Sequence, residues 1–125
     1  PAMVEAGRGW IVNTSSVAGK TYFPIVACHY AATKSAIIGF TKHLAGELGP
    51  HGIRVNNIGP GYTRTDMTAV SWNDPELRET RTRRTLLNRW GSTDDLAGLV
   101  ILLAADASSY ITGQDLYVDG GWLAR

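Results

Sequence analysis

Between Trp10 and Ile58 the chain passes from one β-favouring run through a long helical period to a second β-favouring run. The first, Trp10-Ile11-Val12-Asn13-Thr14, is bracketed by Gly9 and Ser15-Ser16, and the second spans Ile53 to Ile58. From His29 to Leu48, the apolar residues Ile37, Ile38, Phe40, Leu44 and Leu48 recur at three- and four-residue spacings until Gly49-Pro50 stops the pattern. Gly59-Pro60-Gly61 then ends the second strand, because that triplet suits neither helix nor sheet, and a loop follows. Asp74 ahead of Pro75 predicts a helix to about Arg84 with a mainly polar face. Thr93-Asp94-Asp95 opens another, ending near Ala105, and Asp115 to Val118 reads as a last strand before Asp119-Gly120-Gly121. Strands alternating with helices imply an α/β fold, a parallel sheet with right-handed crossovers and helices over its faces. Ligands of such sheets bind beyond the carboxyl ends of the strands.

With three strands the sheet is thin, and a further strand alongside Trp10–Thr14 is expected, so the chain reads as incomplete. At 125 residues and 44 % apolar composition it has the size of one domain with one core. A net charge of +1 is too balanced to support attraction to nucleic acid or to a membrane surface. The longest apolar stretch, Leu96 to Ala105, falls short of the ~18 residues needed to cross a bilayer and reads as a buried helix. Pro1 to Gly9 lacks the pattern of a secretory signal, and the single Cys28 cannot form an intrachain disulfide, which points to a reducing, cytoplasmic setting. His29, His43 and His51 have no partners at metal-ligand spacing, so no metal site is expected and they read as surface or packing residues. Cys28 reads as a buried or partly exposed structural thiol. Arg78, Arg81, Arg83, Arg84 and Arg89 form a charge run whose plain reading is a solvated face, tempered by Glu76 and Glu79; the sharper reading is attraction of an anionic substrate.

Tyr30 and Lys34, four residues apart at the start of the long helix, share one face. A free phenol titrates near ~10, and bringing it to ~7 costs about 4 kcal/mol. An ammonium at ~4 Å in an effective dielectric of ~20 supplies about that much. By spacing alone the pair reads as part of an ordinary amphipathic helix, with an exposed lysine and a packed tyrosine. Its neighbours in the predicted fold change this, because the segments carrying Ser15-Ser16, Tyr30 and Pro60-Gly61 all emerge at one edge of the sheet.

Asn13-Thr14-Ser15-Ser16, Tyr30-Ala31-Ala32-Thr33-Lys34, Pro60-Gly61-Tyr62-Thr63-Arg64-Thr65 and Asp119-Gly120-Gly121, in this order, resemble the classical branch of the short-chain dehydrogenase/reductase family. The resemblance implies the carboxyl-terminal half of a Rossmann-type doubly wound parallel sheet, three strands with flanking helices, so that residues 1–125 form the carboxyl-terminal part of a single NAD(P)-binding domain. It implies that Tyr30 is the catalytic acid/base, that Ser16 orients and polarises the substrate oxygen, and that Lys34 lowers the phenol's pKa and bonds the nicotinamide ribose. Pro60, Gly61 and the backbone at Thr63 would approach the nicotinamide of NAD or NADP, and Thr65 would help hold its carboxamide or pyrophosphate. Alternation along the strand points Ser15 away from Ser16 and leaves Ser15 a role at the strand end.

No glycine-rich phosphate turn precedes these blocks, consistent with half of the family pattern. The ending Asp119-Gly120-Gly121-Trp122-Leu123-Ala124-Arg125 resembles sugar-acid and polyol dehydrogenases of the family and implies a small-molecule substrate of that kind. A 3-oxoacyl thioester substrate, or a non-catalytic piece serving subunit interaction, are the competing expectations. The resemblance also implies a homo-oligomer, tetramer or dimer, assembled through the Tyr30 helix and the last helix and strand.

Overall fold

The computed structural model describes residues 1–24 and 26–125. Eight elements follow one another: α1 (Ala2–Ala6), β1 (Gly9–Thr14), α2 (Cys28–Leu48), β2 (Ile53–Pro60), α3 (Ala69–Asn73), α4 (Pro75–Thr82), α5 (Asp94–Ala104) and β3 (Asp115–Val118). The strands form one parallel sheet in the order β1-β2-β3, with Gly9 opposite Ile53 and Asn57 opposite Asp115. All three strands therefore end at the same edge, as the alternation requires.

Side-chain alternation along β2 sorts its two faces. Ile53 and Val55 are buried against Ala45 of α2, with Ile11, Leu44 and Leu48 closing the cluster. Arg54 and Asn56 point the other way and bond the backbone that follows and ends α5: Arg54 Nη2 donates to the Leu103 carbonyl at 2.9 Å, and Asn56 Nδ2 to that of Ile111 at 2.8 Å. The sheet is thus covered on both faces, α2 on one and α5 on the other. Thr41, fully buried in α2, accepts from Asn13 Nδ2 at 3.0 Å and ties the helix to β1.

Three expectations need correction. Gly59 and Pro60 do not break β2; they pair with Tyr117 and Val118. Alternate residues of a central strand address opposite neighbours, and the Asn57 and Gly61 amides both donate to the β3 side, at 2.9 and 3.0 Å. The proline nitrogen, which has no proton to give, therefore faces the side on which β1 has run out. The apolar run in α5 is not buried throughout: Leu103 is inaccessible, while Ile101 is 67 % exposed and Val100 and Leu102 are also exposed. Only one stripe of an α-helix meets the sheet it packs on, so a uniformly apolar run leaves its far side open. Cys28 is exposed at the first residue of α2. Asp74 does cap α4, accepting from the Glu76 and Leu77 amides at 2.9 and 3.0 Å. Among the described residues, no helix is long and apolar enough to cross a membrane.

Candidate active site

Beyond the end of β1 the chain makes a short 3-10 turn, Val17–Gly19, capped by Ser16, whose Oγ accepts from the Ala18 amide at 3.2 Å. The turn docks directly on α2. A side chain on Gly19 would meet the Lys34 carbonyl carbon at 2.7 Å, and Ser35 Oγ donates to the Gly19 carbonyl at 2.8 Å. Glycine at position 19 therefore sets how closely the serine-bearing loop approaches the helix that carries Tyr30 and Lys34. Sequence reading passed over Gly19, since a glycine in a loop carries no mark of the backbone it will touch.

Ser15 and Ser16 point apart as alternation predicts. Ser15 is buried, with its Oγ accepting from Asn57 Nδ2 at 2.7 Å, whereas Ser16 lines an open cavity. Tyr30 and Gly61 line the same cavity, of about 370 Å³, together with apolar walls from Phe23, Val26 and Met67. Lys34 stands beside Tyr30, its Nζ 5.6 Å from the ring centroid, and donates to the Thr14 carbonyl at the end of β1 at 3.1 Å. That bond leaves two of the three ammonium protons free.

Of the other expected residues, Gly61 borders this space, whereas Pro60, Thr63 and Thr65 do not. Pro60 is the last residue of β2 and does not line the cavity. Gly61 does, yet its lack of a side chain is demanded by the chain itself, because a Cβ there would sit 2.7 Å from Asp119 Cα. Thr63 is buried, its Oγ1 donating to the Gly61 carbonyl at 3.3 Å and its own carbonyl accepting from Thr68 Oγ1 at 2.7 Å. Thr65 caps the turn Asp66–Thr68, with its amide donating to Thr68 Oγ1 at 3.0 Å. The structure thus gathers Ser16, Tyr30 and Gly61 around one space with Lys34 adjoining, and gives Thr63 and Thr65 bonds within the loop that leaves β2.

The arginine run is not a uniform solvated face. Arg83 pairs with Glu79 at 2.7 Å and Arg89 with Asp95 at 2.7 Å, while Arg84 lies over Trp122 and Arg78 over Trp72. Arg81 is buried in the cavity wall, 5.3 Å from the Tyr62 ring centroid. Burial raises the Tyr62 phenol above its usual range, and the charges of Arg81 and Arg84 oppose that rise. Sequence reading named Arg81 only as one of five arginines whose sharper reading was attraction of an anionic substrate, and did not single it out. The available signal was its three-residue spacing from Arg78, which sets both on one face of α4 toward Trp72 and Tyr62. Trp90 fills the core between Tyr62 and Trp72, whereas Trp122 packs on Phe23 and Tyr62.

Residues 1–123 match the family model described as Enoyl-(Acyl carrier protein) reductase. The chain belongs to the short-chain dehydrogenase/reductase family. Within that family it is 47 % identical over 123 residues to a 3-alpha-(or 20-beta)-hydroxysteroid dehydrogenase of Mycobacterium bovis, covering 98 % of this chain and 44 % of the relative. A solved 3-oxoacyl-[acyl-carrier protein] reductase from Brucella melitensis is 58 % identical, with a TM-score of 0.91 over 97 % of this chain and 44 % of that one. A gluconate 5-dehydrogenase from Burkholderia cenocepacia, solved in complex with NADP and tartrate, is 35 % identical, with a TM-score of 0.94 over 99 % of this chain and 48 % of that one. The chain therefore spans about half the length of the curated dehydrogenase/reductase relatives it matches. Its three-stranded parallel sheet with flanking helices corresponds to the carboxyl-terminal half of the family's Rossmann-type fold.

Proposed function

We propose that residues 1–125 form the carboxyl-terminal part of a single NAD(P)-binding Rossmann-type domain, and that they carry the acid–base machinery of an oxidoreductase interconverting a secondary alcohol and a carbonyl. The observation that carries this reading is the meeting of Ser16 and Tyr30 at one cavity with the Lys34 ammonium beside the phenol. The residues fit the nicotinamide end of the cofactor: Lys34 has two donors to offer ribose hydroxyls, and the backbone at Gly61 borders the same space. When bound, the cofactor supplies or accepts the hydride. Tyr30 then gives a proton to the substrate oxygen in reduction, or takes it in oxidation. Ser16 Oγ already accepts from the Ala18 amide, which leaves its own hydrogen free for that oxygen, where charge develops during transfer. Lys34, fixed on the Thr14 carbonyl, holds positive charge next to the phenol throughout. Pro60, Thr63 and Thr65 remain proposed cofactor neighbours through the loop backbone they anchor.

The substrate class we favour is a sugar, sugar acid or polyol, supported by the gluconate 5-dehydrogenase relative and by the chain's ending. The 58 % identity to the Brucella reductase supports a 3-oxoacyl thioester as the second reading. The exposed apolar faces of α2, at Phe40, and of α5, at Ile101, support assembly into a homo-oligomer. Lys34→Met in the full-length protein tests the arrangement. Its loss removes ribose donors and the charge beside Tyr30, so cofactor affinity and turnover should both fall by roughly 10-fold or more. A variant that binds cofactor as tightly and turns over as fast as the parent contradicts the role.

A further inference from the structure

Arg81 is the one charged residue lining the candidate catalytic cavity among the described residues, and only 8 % of it is exposed. A guanidinium does not shed its charge on burial, so a buried one needs a counter-charge or a set of acceptors. The described ion pairs engage Arg8, Lys42, Arg83 and Arg89, but not Arg81. Its neighbour Tyr62 is neutral and offers a ring face and one hydroxyl, fewer acceptors than the five N–H donors of the fork. No Asp or Glu lines the cavity among the described residues, whose remaining walls are apolar or carry hydroxyls. A volume of about 370 Å³ suits a small molecule.

We propose that Arg81 binds a carboxylate of the substrate, so that the pocket selects hydroxy acids and oxo acids over neutral alcohols and ketones of the same shape. This rests on the oxidoreductase reading above and narrows its substrate class. With Ser16 and Tyr30 at one part of the cavity and Arg81 at another, the substrate is held at two points: its reacting oxygen by the hydroxyls, its carboxylate by the fork. Planar bidentate pairing with carboxylate is what a guanidinium does better than an ammonium.

The test uses the full-length protein with NADP or NAD and two matched pairs of probes: gluconate against D-glucitol, and 3-hydroxybutyrate against its methyl ester. Turnover is followed by reduction of the cofactor, and binding to the cofactor complex by calorimetry. In at least one pair the acid should exceed its neutral partner in kcat/KM or affinity by roughly 10- to 150-fold, the scale of a charge-assisted hydrogen bond. Arg81→Met should bring that ratio close to one, and Arg81→Lys should leave an intermediate ratio; because each variant is read as a ratio, partial loss of folded protein cancels. Equal use of acid and neutral probes overturns the assignment, as expected if a carboxylate of the protein itself holds Arg81, and so does an acid preference that survives Arg81→Met. Oxidation of neutral probes without acid preference removes the Arg81 role and leaves the oxidoreductase reading standing. Acid binding that Arg81→Met abolishes, with no cofactor reduction by any probe, does the reverse.

Discussion

Ser15 Oγ accepts from a fully buried amide while its neighbour's hydroxyl faces the cavity, so one step along the chain separates a packing position from the one proposed for chemistry. Ser15→Ala leaves Asn57 Nδ2 without its shortest bond and should cost about 1–3 kcal/mol of stability, read as a lower urea midpoint. Ser16→Ala removes the donor proposed for the reacting oxygen and should lower kcat/KM by roughly 10²- to 10³-fold in the full-length protein, with a smaller fall in that midpoint than Ser15→Ala gives, from loss of the Ala18 cap bond. The opposite pattern, rate loss from Ser15 and stability loss from Ser16, would reverse the assignment. At this scale sequence was informative where spacing is the cause. The Tyr30–Lys34 pair and the divergence of the two serines follow from the 3.6- and 2-residue periods. Gly19 and Arg81 were not legible, because a glycine's neighbour across the fold and the burial of one arginine among five are tertiary facts.

The loop after β2 is held by a clip at the start of α5. Arg89 bonds both Asp95 carboxylate oxygens, at 2.9 and 2.7 Å, and the Ser92 amide and hydroxyl donate to the same carboxylate at 2.7 and 3.0 Å. Thr63 and Gly91 pair as an isolated parallel bridge, so the clip also steadies the segment leading away from the cavity. Chiefly through the Arg89 hydrogen bonds, then those from Ser92, Asp95 is held well below the usual carboxylate range. A depressed folded-state value means that the clip contributes in full above the unfolded value, near ~4, and is lost as pH falls from there through the folded one. The difference in melting temperature between the parent and Asp95→Asn should therefore be constant from pH 7 to about 5 and shrink below ~4. A difference that grows on acidification contradicts it.

Where the 3-10 turn meets α2, Gly19→Ala forces a Cβ onto the Lys34 backbone and should destabilise by about 1–3 kcal/mol. Gly46→Ala in α2, where a Cβ meets nothing within 4 Å, should stabilise by about 0.4–1 kcal/mol. Denaturant midpoints of the two variants moving in the same direction would contradict the packing described. Element order and most boundaries were legible from periodicity and caps. Short α3 was not, since Ala69–Asn73 is too brief to show a period, and β2 ran on through Pro60 because only the sheet shows which neighbour a proline nitrogen faces.

Across the whole molecule, three segments distant in sequence reach one edge of one sheet, and that convergence makes a site from residues that are individually ordinary. The sheet corresponds to the carboxyl-terminal half of a family fold, and the curated relatives that share it are about twice this length. Its parallel order was legible because strands separated by helices pair in no other way that covers both faces. The exposed far side of α5 was not, because hydrophobicity alone does not say whether the cover is the same chain or another. The most direct measurement is cofactor-linked turnover by the full-length protein carrying Tyr30→Phe, beside its cofactor affinity by fluorescence titration. Removal of the proton-transferring oxygen should reduce kcat by roughly 10²- to 10⁴-fold or abolish it while cofactor binding is largely retained. Turnover persisting at the parental rate would mean that the proton comes from elsewhere.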